Sequence, residues 1–190
     1  MSDAGIMRLR PDVTLSPLTP DHAPAMFRWM CDPVVRDNVG VRAEPSMERT
    51  HAWIRAALAD PAVKAFAVLA GGRHVGNVVI DRVDRALGTG RLSAYIGEAS
   101  ARGKGVGRTA IYLALREAFE GIALHKVWLI VHPGNAPAIR TYRRLGFSVE
   151  GTLRDEFILA GRRVAALYMG MLEPEFRNIK VEMGVAEGRA

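Results

Sequence analysis

The residues best suited to chemistry lie together in Arg102-Gly103-Lys104-Gly105-Val106-Gly107-Arg108. A strand-like stretch, Arg91 to Gly97, precedes this loop. A helix-like run with Ile111, Leu113, Ala114, Leu115, Ala118 and Phe119 follows it. Glycines ahead of a helix start let the oxygens of an anion approach the main chain. Unpaired N–H groups of the first turn and the helix dipole favour negative charge there. The ordinary alternative is a basic surface turn. Spacing excludes two phosphate loops. A Walker loop needs Gly-Lys followed by Ser or Thr, and Gly105 follows Lys104. A dinucleotide fingerprint begun at Gly103 and Gly105 meets Arg108 where its third glycine belongs.

A second group of polar residues lies about thirty positions on. Asn135 reads as the N-cap of a helix carrying Ile139, Tyr142 and Leu145, and Gly146 ends that helix in a left-handed turn. Glu98 stands just past the central strand, with Asp81 and His74 on the strand before it as weaker candidates for a base. Each also reads as an ordinary polar residue. Cys31 is the only cysteine, so neither a disulfide framework nor a cysteine zinc site is expected. It reads as a spectator thiol, and no metal site is expected.

The elements that must position these groups follow from pattern. Val13-Thr14-Leu15 reads as a short strand. Thr19-Pro20-Asp21 opens a helix that turns Ala25, Met26 and Trp29 inward and stops near Asp32-Pro33. Ser46 with Glu48 opens another, with His51, Ile54, Ala57 and Leu58 on adjacent turns, ending before Pro61. Phe66 to Leu69 and His74 to Val83 flank Gly71-Gly72 as a hairpin. Arg91 to Gly97 alternates as a half-buried strand, and His125 to Val131 is a buried one. Phe147 to Leu153 and Val164 to Met171 are joined by a turn at Gly161. From Glu173 the apolar residues thin out into a short helix or a loose tail. The order gives a mixed-sheet α/β sandwich of one domain.

Composition bounds the function. The chain has 190 residues, 49% of them hydrophobic and 24% charged, which fits one packed domain and excludes wholesale disorder. The net charge of +6 permits an anionic ligand. The arginines are scattered and not interleaved with aromatics, so nucleic-acid binding is not expected. No run of about 18 apolar residues predicts a membrane span, and Met1 to Arg10 lacks the apolar core of a leader. A cytoplasmic location is the default.

Arg102, Gly105 and Gly107 occupy the fixed positions of the coenzyme A loop R/Q-x-x-G-x-G/A. Together with Asn135, Tyr142 and Leu145-Gly146-Phe147, in that order and spacing, they resemble the GNAT superfamily of acyl-CoA-dependent N-acyltransferases. The likeness runs from about Leu15 to Leu172. Leu145 to Arg154 is similar to the branch of ribosomal-protein N-terminal, polyamine and sugar-nucleotide amine acetyltransferases. Asp32 to Asn38, Ser46 and His51-Ala52-Trp53-Ile54 look most like the sugar-nucleotide members. Ala138 departs from the serine common in this branch. The resemblance implies a mostly antiparallel mixed sheet, splayed at its centre, with helices on both faces. It assigns residues 1–172 to the acyltransferase domain and 173–190 to a short C-terminal extension.

The resemblance further implies acetyl-CoA as co-substrate and direct attack by an amine. The pyrophosphate would meet the amides from Gly103 through Arg108, that is Gly103, Lys104, Gly105, Val106, Gly107 and Arg108, with Thr109 beyond and with charge from Arg102 and Arg108. Tyr95, Ile96 or Gly97 would supply a backbone N–H to the developing oxyanion. Tyr142 would serve the leaving sulfur, Asn135 the pantetheine arm and Glu98 the amine proton. Arg36, Asn38 and Asp81 are the candidate acceptor residues. Arg36, Arg42 and Arg49 point to an anionic acceptor such as a nucleotide-linked amino sugar. The other readings are acetylation of a protein N-terminus and a CoA-binding module without turnover. The oligomer stays open, with a homodimer as one option.

Overall fold

The computed structural model describes residues 6–183. Among them, alternating apolar runs form a seven-stranded sheet. Its strands are β2 (Val13–Pro17), β3 (Lys64–Ala70), β4 (Arg73–Asp84), β5 (Thr89–Ile96), β6 (Lys126–Val131), β7 (Ser148–Leu159) and β8 (Arg162–Leu172). Their spatial order is β2-β3-β4-β5-β6-β8-β7. All neighbours are antiparallel except β5 and β6. That parallel pair is short. Thr89, Gly90 and Arg91 pair with Lys126, Val127 and Trp128, and from Leu92 onward β5 has no partner on that side. The sheet therefore splays at its centre, as the resemblance implies.

Period-two burial separates two cores. On one face Val68, Val78, Ile80, Leu92 and Leu129 pack with Ala110, Ile111, Ala114 and Leu115 of α4 (Val106–Arg116). Tyr142 of α5 (Ala136–Arg144) joins this core. On the other face Ala67 packs with Met26 and Trp29 of α1 (Ala23–Met30) and Ile54 of α3 (Met47–Ala59). Adjacent residues Ala67 and Val68 thus serve opposite cores, as a strand's alternation requires. Burial of each large aliphatic side chain contributes about 1.5–3 kcal/mol.

Some features add to the sequence reading. The first helix stops near Asp32-Pro33, as expected, and the same pair also starts a helix that the sequence reading left out. In α2 (Pro33–Val39), Asp32 accepts a hydrogen bond from the Val34 N–H at 2.9 Å, Pro33 needs no partner for an N–H, and Gly40 closes the helix at φ +77°. On α3 Ile54 and Ala57 are buried, and Leu58 is exposed (53%). Of the two expectations for the segment from Glu173, a short helix or a loose tail, the structure has the short helix. Phe176 of α6 (Glu173–Arg177) enters the first core against Phe119 and Tyr112, and β9 (Val181–Met183) pairs in parallel with β1 (Met7–Leu9). A boundary at residue 172 would therefore cut through packed structure. Residues 1–5, part of the leader reading, and 184–190 lie outside the described residues. Among the described residues no helix is long and apolar enough to cross a membrane.

Candidate functional site

The glycine loop is built for main-chain exposure. Gly103 and Gly105 have φ of +72° and +80°, a region that strains other L-residues. Gly105 is the N-cap of α4, and its carbonyl accepts the first helical bond from the Thr109 N–H at 3.1 Å. Helix geometry leaves the N–H groups of Val106, Gly107 and Arg108 without an intrahelical partner. A Cβ on Gly103 would meet nothing within 4 Å, so that backbone stands open. Gly107 has a different role. A Cβ there would lie 3.5 Å from Ile96 Cγ1, so this glycine faces β5.

Several side chains assigned to the loop brace it instead. Arg102 donates from Nε to the Ile96 carbonyl (2.9 Å) and from Nη2 to the Gly97 carbonyl (2.7 Å), with Asp32 3.6 Å away. Its guanidinium clamps the loop to the end of β5. Arg108 donates to the Arg8 carbonyl at 2.8 Å. Thr109 is buried; its hydroxyl accepts from the Arg10 N–H at 3.0 Å, and its own N–H is the helical donor to Gly105. Thr109 therefore has no amide left for an anion. Arg10 also donates to the Lys104 carbonyl at 3.2 Å. The N-terminal segment fastens the loop, a support that no local motif announces.

The end of β5 carries the next candidates. The Tyr95 hydroxyl donates to Asn77 Oδ1 at 3.0 Å, and burial raises its pKa, so its side chain is structural. Trp29 covers Gly97: a Cβ there would stand 2.1 Å from Trp29 Cδ2. Gly97→Ala should therefore displace Trp29 and destabilise the fold by about 1–3 kcal/mol. Thermal melting checks this, and Trp29→Phe in the same chain should recover part of the loss. Equal melting temperatures for wild type and Gly97→Ala would contradict the packing described here. Glu98 lies just beyond, 3.6 Å from Arg28.

Tyr142 stands on α5 and belongs to the core that β5 enters through Leu92 and Ile96. It is 7% exposed, packs on Phe147 with centroids 5.7 Å apart, and its hydroxyl has no hydrogen-bond partner among the described residues. Burial pushes its pKa up to about 12, so it is protonated at neutral pH and available as a donor. Asn135 caps α5, accepting from the Ala138 N–H at 3.3 Å.

The expected acceptor residues do not gather in one place. Asp81 is held by Arg91 through two hydrogen bonds of 2.8 and 2.6 Å. Its partner Arg91 is five ladder steps from Ile96, about 17 Å at the usual strand rise. It belongs to the closed end of the sheet, so the expectation that Asp81 serves as an acceptor residue or base beside the open end of β5 does not hold. Arg36 lies 3.6 Å from Glu44, and Arg49 donates to the Glu44 carbonyl at 2.9 Å. Asn38 does reach the mouth of the splay, where its Oδ1 is 3.0 Å from His132 Nε2. Sequence reasoning missed His132; its only signal is its position directly after β6.

His74 is a structural group rather than a base. Its ring packs on Trp29 (4.7 Å) and His22 (4.6 Å), and its Nε2 is buried without a partner among the described residues. Desolvation, then the charge of His22, lowers its pKa from 6.5 to about 4. The unfolded chain takes up this proton near 6.5 and the folded protein does not until about 4. The stabilisation is full above about pH 6.5 and drains as pH falls toward 4. Melting temperature should fall across that window, and His74→Gln should flatten the fall; an unchanged profile would contradict it. Among the described residues no cluster of three His, Cys, Asp or Glu converges to hold a metal.

Comparisons with known proteins agree with this geometry. Residues 12–148 match the family described as an acetyltransferase (GNAT) domain. The chain is 32% identical over 117 residues to the spermidine N(1)-acetyltransferase of Escherichia coli K12, a match covering 62% of each protein. It thus spans somewhat under two thirds of that relative's length. It is 28% identical to a prophage-derived N-acetyltransferase of Bacillus subtilis, over 87% of this chain and 92% of the relative. The fold is that of a Vibrio cholerae spermidine N-acetyltransferase solved with CoA and spermine. The TM-score is 0.82 at 24% identity, covering 88% of this chain and 99% of that one.

Proposed function

The chain belongs to the GNAT acetyltransferase family, and on that premise we propose that it transfers the acetyl group of acetyl-CoA to a primary amine by direct attack. One observation carries the reading: β5 and β6 part after Arg91, and the open end of β5 leads into a glycine loop with bare N–H groups. The amides of Gly103 through Arg108 would hold the pyrophosphate, and Arg102 would keep them aligned with β5. Asn135 would meet the pantetheine arm, and the N–H groups of residues 95–97 the carbonyl oxygen. The amine nitrogen bonds to the thioester carbon and the carbon–sulfur bond breaks. Of the two protons the ammonium loses, one goes to solvent and the other balances the one gained by sulfur.

Two side chains would carry the proton work. An amine of pKa near 10 is about one part in a thousand neutral at pH 7, a deficit of roughly 4 kcal/mol. We assign Glu98, at the end of β5, to collect the amine proton, directly or through water. Tyr142 would donate to the departing sulfur. A phenol near pKa 12 facing a thiol of ordinary pKa near 8.5 gives up its proton at a cost of about 5 kcal/mol. Tyr142 is therefore better suited to hold a hydrogen bond on the sulfur than to protonate it outright.

A polyamine takes first place as acceptor. Two of the three relatives reported above are named for spermidine and none for an amino sugar. The arginines that pointed to a nucleotide sugar are engaged, Arg36 and Arg49 with Glu44 and Arg42 with the Glu156 carbonyl at 3.5 Å. The test is steady-state kinetics with spermidine, a basic peptide and a nucleotide-linked amino sugar, each at two salt concentrations. Spermidine should be preferred and weakened by salt. Preference for the sugar nucleotide would reverse the choice of acceptor, and preference for the peptide would favour a protein N-terminus.

A further inference from the structure

His132 has no part in the chemistry proposed above, yet it is placed where helix α2 meets the end of β6. It follows β6 directly, at the strand end that stands apart from β5. Its ring is buried, 8% exposed, with Nε2 3.0 Å from Asn38 Oδ1 on α2. The Asn38 amide is oriented by its own Nδ2, which donates to the Val34 carbonyl at 2.8 Å. Oδ1 therefore faces the ring, and Nε2 carries the proton. Nδ1 is left as a buried lone pair without a partner among the described residues. A side chain at position 134 would crowd it, since a Cβ there would stand 3.2 Å from Nδ1. On the other side Phe157 of β7 packs edge-on, with centroids 5.7 Å apart, and a Cβ on Gly40 would stand 3.2 Å from the same phenyl ring. One imidazole thus joins the end of β6, helix α2 and the β7–β8 hairpin, across 94 residues of sequence between itself and Asn38.

Resting on the acetyltransferase reading, we infer that His132 is a positioning residue which, through Asn38, holds α2 against the end of β6 and so sets the acceptor groove. Its neutral form suits this place. Desolvation lowers its pKa, and Asp37 on α2 is the charge that acts against this; the turn after β6 contributes Pro133 and Gly134, and β7 presents Phe157. A tied ring resists a proton that a hydrated ring accepts near the ordinary 6.5. Protonation leaves Nε2–H on Asn38 but adds an N–H at the buried Nδ1, which has no acceptor among the described residues. The seat of the ring between α2 and β6 is therefore firmest above about pH 6.5 and loosens as pH falls below it, and the acceptor KM should rise there.

The experiment measures KM for acceptor and for acetyl-CoA, with kcat, from pH 5 to 9. It uses wild type, His132→Ala, His132→Gln, Asn38→Ala and the double alanine variant, with whichever of spermidine, basic peptide or amino-sugar nucleotide wild type acetylates fastest. Loss of one hydrogen bond predicts a rise of roughly 3- to 10-fold in acceptor KM for His132→Ala, with acetyl-CoA KM unchanged. Asn38→Ala should match it, and the double variant should add nothing further. His132→Gln keeps a donor for Asn38 without a titrating ring. It should restore KM at pH 8 and lose the acid rise seen in wild type. Melting temperatures show that each variant is folded. An acceptor KM unmoved by His132→Ala, additive single effects, or the same acid rise in His132→Gln would overturn the inference. Wild type that releases no thiol with any of the three amines would bring down the acetyltransferase reading, and this inference with it.

Discussion

Gly105→Val is expected to abolish acetyl-CoA binding while leaving a folded protein. Gly105 sits at φ +80°, the N-cap of α4, and a β-branched residue does not hold that conformation without strain of about 1–3 kcal/mol. The new side chain meets no core, because a Cβ there would lie 3.6 Å from Arg108 Nη2 and 3.9 Å from Arg10 Cδ. The backbone therefore relaxes locally, and the N–H groups of Val106, Gly107 and Arg108 lose their common direction. The loss falls on the anion site rather than on the sheet. Gly107→Ala should be much milder, since a methyl there reaches only ordinary contact with Ile96. Calorimetry with CoA checks both. A folded Gly105→Val that binds CoA like wild type would show that the loop is a surface turn.

Tyr142→Phe should lower kcat by roughly 10- to 1000-fold with little change in acetyl-CoA affinity. The hydroxyl has no protein partner among the described residues, so its removal leaves no unsatisfied group behind and the packing against Phe147 is kept. Stability should stay within about 0.5 kcal/mol of wild type. In its proposed role the hydroxyl acts when charge develops on sulfur, so the effect is expected in kcat. An unchanged kcat, in a variant whose chemical step is rate-limiting, would reduce Tyr142 to a core aromatic.

What could be read from the sequence was whatever local chemistry determines. The glycines at 103 and 105, the Asn135 cap and the Gly146 turn each follow from backbone preference, and the structure has all of them. The alternation of Arg91 to Gly97 marked β5 and its two faces. Helix α2 was missed because Pro33 reads as a stop when the Asp32 before it is not read as a cap. The site's supports were missed because they are long-range. Arg10 on Thr109, Trp29 over Gly97 and Asn38 on His132 join residues far apart in sequence, and no spacing rule reaches that far. Arg102 was placed correctly in the loop, but its guanidinium turns to the carbonyls of Ile96 and Gly97, a direction that only the fold decides. Asp81 shows the converse: the strand was right, and the role beside the open end of β5 was not.

The most direct test of the central claim is a time course with acetyl-CoA and spermidine, reading free thiol and N-acetylated amine in the same samples. Proposed direct transfer predicts that the two products appear together in equal amounts, at a rate that depends on both substrates and that Gly105→Val abolishes. Acetyl-CoA bound at the loop, with thiol release no faster than in the absence of any amine for spermidine, a basic peptide and an amino-sugar nucleotide alike, would contradict it and leave a CoA-binding protein without transfer.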